Sequence, residues 1–367
     1  MKKKINVLYV IPTLENADGV ASYSMNYFRN MKNIKIDFIV TASEEKSKYY
    51  DEITKQKREV YYIRTNRIKK IVKTILQIKK FFKENSYKYD IIHCHVWNTG
   101  IFYLYFAKKY GIKVRILHSH ATMTSDRTLK RIINNILLLF TKKLATHFFA
   151  CSKYAGDRMF NDVPFLVINN AIDIEHFKFN NEKRKNIRQK LNLKDNDILI
   201  GNVGRLCYQK NQQFLINIVN KLNIESERFK LIIIGDGILF DELNKNIKDK
   251  MNKNLILMHS VSNIEDYFCA MDIFCLPSIY EGLPVVGIEA QANGLSCIFS
   301  SNITDEVKVN DNVYFENIDS IENWTKMIKK ISIKRCNKNY IKQSNFIIEN
   351  ASSLLEKKYF ELLKSRE

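Results

Sequence analysis

Short runs rich in Val, Ile, Leu and Phe alternate along the chain with stretches whose apolar residues recur every three or four positions, the pattern of strands interleaved with helices. The strand-like runs fall at 5–11, 36–40, 91–93, 114–117, 147–150 and 165–168, and again at 198–203, 231–234, 255–258, 273–276 and 296–299. Repeated βα units of this kind predict mostly parallel sheets. Between the two sets, residues 173–197 are polar and dense in Asn and Lys, which predicts a linker. The expected organisation is α/β, with a Rossmann-like domain at 1–172, a linker at 173–197 and a second Rossmann-like domain at 198–349. Two doubly wound halves would place their carboxyl-edge loops across a shared cleft.

Two segments stand out chemically. Glu281-Gly282-Leu283-Pro284-Val285-Val286-Gly287-Ile288-Glu289 follows the run 273–276. Its glycine and proline predict a tight turn into a helix, with Pro284 near the first helical position, where a missing N–H costs nothing. A helix N-terminus attracts anions, and Gly282 lets a ligand approach the backbone. Two carboxylates there would repel a bare phosphate, so Glu281 and Glu289 are expected to accept hydrogen bonds from hydroxyls of the same ligand. A phosphorylated sugar has both parts. The second segment, Gly204-Arg205-Leu206-Cys207-Tyr208-Gln209-Lys210, follows the run 198–203. Arg205 offers a planar fork and Lys210 a point charge, a pair suited to a diphosphate.

With 367 residues, 46% of them hydrophobic, the chain is long enough for about two folded domains. No apolar run approaches the roughly 18 residues of a membrane span. Residues 1–14 superficially resemble a signal peptide, but Pro12 interrupts the run and no small-residue cleavage site follows, so a cytoplasmic protein is expected. The seven cysteines lack CxxC spacing, which argues against a disulfide framework or a zinc site. The net charge of +20 is uneven: residues 1–175 carry 31 Lys+Arg against 15 Asp+Glu, or +16. That half fits an anionic partner, whether nucleic acid, an acidic membrane surface or a phosphorylated substrate; an AT-rich genome, which encodes Lys and Asn freely, would produce the same bias. A nucleic-acid-binding protein is disfavoured, because neither aromatic RNA-binding motifs nor a helix-turn-helix pattern is present.

Taken together, Asp18-Gly19-Val20, His118-Ser119-His120, Ile168-Asn169-Asn170-Ala171-Ile172-Asp173, the 204–212 loop and the segment 276–294 resemble the retaining glycosyltransferases of family 4, notably bacterial capsular and exopolysaccharide enzymes. The resemblance covers almost the whole length. It implies a GT-B fold of two Rossmann-like domains facing a cleft, with a C-terminal helix at about 350–367 returning to the first domain. It also implies transfer of a hexose or N-acetylhexosamine from a nucleotide sugar, UDP-linked, to a lipid-linked or oligosaccharide hydroxyl in cell-surface polysaccharide synthesis. The expected partners are that donor and acceptor, with no cofactor and no metal. A nucleotide-sugar epimerase or hydrolase of the same fold is the alternative enzyme. By resemblance, Arg205 and Lys210 hold the donor diphosphate, Glu289 the ribose and Glu281 the transferred sugar. Gly19, Gly204, Gly282, Leu283, Pro284 and Val285 line the donor site, and the base lies near Ser260–Asn263. Relatives often have two glycines in the first loop; here Asp18 replaces one, which opposes phosphate.

His118 and His120 follow the run 114–117 at a carboxyl edge, and the family's cleft histidine is placed at His120. His93 and His95 also end a run; a spacing of two puts them on one face of a strand, but without further partners they do not make a zinc site. Asp195-Asn196-Asp197 precedes a strand and reads as a solvated linker turn, and Thr304-Asp305-Glu306 as a surface turn. A helix over 68–83 is expected to bury Ile68, Ile71, Val72, Ile75 and Phe82 and to display Lys69, Lys70, Lys73 and Lys80. Those lysines could attract anionic lipid and hold the protein peripherally at the inner face of the cell membrane.

Overall fold

In the computed structural model, residues 4–15, 18–42, 48–63, 71–124, 128–161, 163–249, 253–336, 341 and 344–365 are described. The strands are β1 (Ile5–Ile11), β2 (Ile34–Val40), β3 (Val60–Tyr62), β4 (Ile91–Cys94), β5 (Val114–Ser119), β6 (His147–Ala150), β7 (Leu166–Val167), β8 (Ile198–Val203), β9 (Phe229–Ile234), β10 (Leu255–Met258), β11 (Ile273–Leu276), β12 (Ser296–Ser300) and β13 (Val313–Glu316). They form a seven-stranded sheet, order β3-β2-β1-β4-β5-β6-β7, and a six-stranded sheet, order β10-β9-β8-β11-β12-β13. Neighbouring strands pair in parallel. These are two Rossmann-like units of the GT-B type. In each sheet the order reverses once, between β1 and β4 and between β8 and β11. Ligands of such sheets bind at the carboxyl ends of the strands flanking that reversal.

The first unit is Met1–Ala171 together with Ile348–Glu367, the second Ile172–Ile347. The C-terminal helix Ile348–Lys364 returns to the first unit because its apolar stripe, Ile348, Ala351, Leu355, Tyr359 and Leu362, joins the core formed by Tyr9, Tyr23 and Tyr27. In the second unit Trp324 and Leu215 meet the strand residues Ile200, Ile233 and Cys275.

The polar stretch 173–197 is not a free linker but part of the second unit. Asn180 caps the helix Asn181–Lys190, accepting from the amides of Glu182 and Lys183. Arg184 and Arg188, one turn apart, share one face and grip the buried carboxylate of Asp272 at 2.6 and 3.1 Å. Composition concealed this, because charged residues that anchor a helix look like those that solvate a loop. Within Asp195-Asn196-Asp197, Asp195 and Asn196 are exposed in a turn, as expected, whereas the Asp197 side chain is buried and accepts from the Lys194 amide at 2.8 Å. Asp272→Ala should destabilise the protein by about 3–5 kcal/mol, because it leaves two buried-side guanidinium groups without their carboxylate. A denaturant titration showing no shift in midpoint would contradict this.

The helix expected over 68–83 runs Ile71–Asn85, and Ile68, Lys69 and Lys70 lie outside the described residues. It buries Thr74, Ile78, Phe81 and Phe82, whereas Val72, expected inside, is exposed. The inward face is therefore rotated from the expected one, because the 74/78/81 row meets the sheet.

Candidate active site

The two sequence segments singled out for the second unit converge at its order reversal. Gly204 follows β8 with φ +149°, a conformation that favours glycine. The chain then passes through a 3-10 turn at Tyr208–Lys210. Pro277–Glu281 follows β11, and the two loops are laced together: Ile279 N–H donates to the Gln209 carbonyl at 2.8 Å, and the Gln209 side-chain amide donates to the Tyr280 carbonyl at 2.9 Å. This lacing brings Lys210 Nζ within 2.6 Å of Glu281 Oε1, both side chains being largely buried. A cation and a carboxylate expected to serve different parts of one ligand are thus each other's partner. Arg205, in the same loop, is exposed.

The helix entered from this turn is Val285–Ala292, and Pro284 is its N-cap, next to the first helical position as expected. No acidic side chain lies in its first turn and no side chain caps it, which leaves its positive end uncompensated from within the helix. Gly282, Leu283, Pro284 and Val285 are buried. Glu289, one turn further in, is partly exposed, and burial, with a smaller contribution from the Glu265 carboxylate, pushes its pKa up to about 7. It is poised between acid and carboxylate near neutrality.

Sequence reasoning missed a third loop. Gly235-Asp236-Gly237 follows β9, and a Cβ at Gly235 would lie 2.0 Å from the Gly204 carbonyl oxygen, one at Gly237 2.2 Å from that of Leu206. The two glycines let this loop press backbone to backbone on the Gly204–Leu206 loop. Asp236 accepts from the Ser260 amide at 3.1 Å and pairs with His259 at 2.5 Å. It thereby ties β9 to the 260–263 segment expected to meet the base. Two glycines bracketing an aspartate at a strand end were the available signal. Thr304-Asp305-Glu306 is a 3-10 turn capped by Thr304, whose hydroxyl accepts from the Glu306 amide at 3.4 Å.

In the first unit, Asp18 is the N-cap of the helix Gly19–Asn30, and its Oδ1 accepts from Val20 N at 2.9 Å and Ala21 N at 3.1 Å. The carboxylate expected to oppose phosphate thus occupies the amides a phosphate would use. A Cβ at Gly19 would meet nothing within 4 Å, so packing within the unit does not require glycine there. The Asn169-Asn170-Ala171 motif fastens this helix: the carbonyls of Asn169 and Ala171 accept from Tyr27 Oη at 2.8 Å and Asn26 Nδ2 at 2.9 Å.

The four histidines at the ends of β4 and β5 form one cluster. A period of two places each pair on one face of its strand, and β4 and β5 are neighbours, so the pairs meet. His93 Nε2 and His118 Nδ1 lie 3.0 Å apart, His95 Nδ1 and His120 Nε2 2.9 Å apart. The two pairs stack, with His93 over His95 at 4.3 Å and His118 over His120 at 4.2 Å. His93 Nδ1 is 2.5 Å from Tyr359 Oη, which in turn meets Tyr9 Oη at 3.0 Å. Burial first, and mutual repulsion second, hold His93, His95 and His118 well below the ordinary imidazole pKa; burial lowers His120 to about 3, opposed by the Asn170 side chain. Burial thus favours the neutral form of all four. His93, His95 and His118 each bring a ligand atom within 4.8 Å of the others, close enough by distance for a shared metal ion. Both ring nitrogens of His93 already have partners, Nε2 with His118 Nδ1 and Nδ1 with Tyr359 Oη. The arrangement suits a hydrogen-bonded stack. His120, expected to point into a cleft, is its partly exposed end.

The two parallel sheets, with the Gly204–Lys210 loop latched to the Glu281–Glu289 segment, have the architecture of the GT-B class. Residues 17–176 match the family described as Glycosyltransferase Family 4, and residues 183–353 that described as Glycosyl transferases group 1. The chain belongs to these glycosyltransferases. It is 29% identical over 313 residues to the putative glycosyltransferase EpsF of Bacillus subtilis, covering 82% of this chain and 80% of that one. To the UDP-Gal:alpha-D-GlcNAc-diphosphoundecaprenol alpha-1,3-galactosyltransferase of Escherichia coli it is 29% identical over 314 residues, with the same 82% and 80% shares. Among solved structures, Anabaena HepE in complex with UDP-glucose superposes with a TM-score of 0.75 at 14% identity, covering 98% of this chain and 100% of that one; at that identity the likeness is one of fold.

Proposed function

We propose that the protein is a retaining glycosyltransferase that moves a hexose or N-acetylhexosamine from a UDP-sugar to a hydroxyl of a lipid-linked or oligosaccharide acceptor in bacterial cell-surface polysaccharide synthesis. The observation that carries this reading is the Lys210–Glu281 contact, at 2.6 Å, set beside Arg205 at the carboxyl ends of β8 and β11. Breaking a glycosyl–phosphate bond builds positive charge on the sugar and negative charge on the departing diphosphate. In this reading Arg205 and Lys210 supply cations where the negative charge grows, and they act most strongly in the transition state. In this reading Lys210 exchanges Glu281 for the diphosphate when donor binds, freeing the Glu281 carboxylate to accept from a sugar hydroxyl. Glu289 accepts from the ribose. The leaving phosphate takes the acceptor's proton as the new bond forms on the same face of the sugar, which retains configuration.

The electrostatics come from side chains, so the reaction is expected to need no metal, and activity should survive chelation by EDTA. The relatives support the acceptor class: the Escherichia coli protein is named for a diphosphoundecaprenol acceptor. No described helix is long and apolar enough to cross a membrane. A peripheral place at the cytoplasmic membrane face belongs to this reading. A thermal-shift screen of UDP-, GDP- and ADP-sugars tests the donor: stabilisation by a UDP-sugar above the others is expected, and preference for another nucleotide overturns that assignment. Product formed without acceptor would favour the epimerase or hydrolase alternative.

The raised pKa of Glu289 sets a pH dependence. A carboxyl whose folded pKa of about 7 exceeds its ordinary 4.5 favours the folded state at low pH, and that contribution is lost as pH rises through 7. Ribose hydroxyls donate to the carboxylate form, so UDP affinity should rise between pH 6 and pH 8, with proton release on binding. Calorimetry in buffers of different ionisation heat measures both. Glu289→Gln should flatten the profile, and a flat wild-type profile would contradict the assignment.

A further inference from the structure

The helix Thr128–Leu144 is inside out. Its inward residues are Asn134, Leu138 and Thr141, two of the three polar. Asn134 Nδ2 donates to the Thr124 carbonyl at 2.7 Å, and Thr141 Oγ1 to the Leu137 carbonyl at 2.8 Å, so both polar groups are satisfied where they sit. The outward residues include Leu129, Ile132, Ile133, Ile136, Leu139 and Phe140, each 50–79% exposed. At 100° per residue these six span an arc of about 120°, the width of a stripe normally turned to the core. A surface helix that turns its apolar stripe outward requires something to cover it.

The charges identify the cover. The helix carries Lys130, Arg131, Lys142 and Lys143 and no acidic residue. The basic residues stand at its two ends along the axis: Lys130 and Lys143 are exposed, Arg131 and Lys142 half-buried, with Lys142 Nζ 3.4 Å from the Phe160 carbonyl oxygen, and Lys143 Nζ lies 5.8 Å from the ring centroid of exposed Phe140. An apolar stripe with an exposed lysine at each end and no acidic residue fits the boundary of an anionic bilayer, where acyl chains receive the stripe and headgroup phosphates the lysines. A protein partner would be expected to meet a less one-sided charge. The helix packs on the helix Gly100–Lys109, which also packs on Ile71–Asn85, where Val72 and Leu76 are exposed beside Lys73. Apolar and basic exposure thus recurs two helices away.

We propose that Thr128–Leu144 is a membrane-docking helix that lies in the interface of an anionic bilayer. This places the principal contact on a helix other than the one at 71–85 that lysine content had indicated. The docking deepens the reading of a lipid-linked acceptor and rests on it for its purpose, but the contact is measured without any acceptor.

The test is flotation of the full-length protein, without detergent, with vesicles of phosphatidylcholine alone or mixed equally with phosphatidylglycerol. Wild type should float with the mixed vesicles, and binding should weaken as salt is raised. Ile133→Glu/Ile136→Glu should lower vesicle affinity at least tenfold while leaving UDP affinity and melting temperature unchanged. Lys130→Ala should cost about fivefold, the effect of one cation near the surface. As a readout independent of the charged variant's folding, Ile136→Trp should shift its fluorescence to the blue on mixed vesicles. Equal flotation by wild type and Ile133→Glu/Ile136→Glu, or an Ile136→Trp emission that does not move, overturns the proposal. So does a wild type that stays off the vesicles as a dimer which Ile136→Glu makes monomeric, since the stripe would then join two copies of the chain. Wild-type transfer to a lipid-linked acceptor without vesicle binding would sink the docking proposal and leave the enzymatic reading standing; vesicle binding without transfer from any UDP-sugar would do the reverse.

Discussion

Lys210→Ala lowers turnover about 100- to 1,000-fold, the range seen when one preorganised group is removed from a developing negative charge. Two effects add in the same direction. The diphosphate loses a cation in a half-buried loop, where charge is poorly screened. Glu281, its partner at 2.6 Å, is left as an uncompensated carboxylate beside the departing phosphate. Lys210→Arg should recover part of the rate, because charge survives while the planar fork fits the compact Lys site poorly. The loss belongs in kcat: an interaction that strengthens as charge separates slows the chemical step more than it weakens donor binding. Breaking a buried ion pair also costs stability, so rates are compared below the variant's melting transition. A variant folded at the assay temperature with near-normal kcat would remove Lys210 from the leaving-group role. Arg205→Ala should show the same pattern.

Glu289→Ala weakens UDP binding about ten- to hundredfold, the worth of hydrogen bonds to a charged group. The carboxylate stands partly exposed on the helix Val285–Ala292, and among the described residues no side-chain hydrogen bond is assigned to it. A group with an open coordination sphere and a pKa of about 7 gains much from two ribose hydroxyls and gives up little to receive them. Glu289→Gln keeps the size and loses the charge, so it should fall between wild type and Ala. Unchanged UDP affinity in Glu289→Ala, by calorimetry at pH 8, would end the ribose assignment.

Much of this site was legible in the chain. Glycine, proline and two glutamates at fixed offsets carry their meaning locally, and the runs at 198–203 and 273–276 place them at strand ends. What escaped depends on distant partners. The edge strands β3 and β13 are only three and four residues long and partly exposed, and pairing with β2 and β12 makes them strands. The helix Asn181–Lys190 read as linker because Asp272, which anchors its arginines, lies some 80 positions away. Nothing local joins His93 and His95 to His118 and His120, since the adjacency of β4 and β5 is a property of the sheet. The stripe of Thr128–Leu144 has ordinary helical spacing; only the structure shows that it faces outward.

The division of labour between the two glutamates is the centre of the account, and one crossed titration tests it most directly. UDP and the UDP-sugar that most stabilises the wild type are titrated into wild type, Glu289→Ala and Glu281→Ala. Glu289→Ala should weaken both ligands alike. Glu281→Ala should leave UDP affinity unchanged or stronger, since Lys210 no longer has a competing carboxylate, and should remove the added affinity contributed by the attached sugar. Equal weakening of UDP by both substitutions, or of neither ligand by Glu289→Ala, would contradict it.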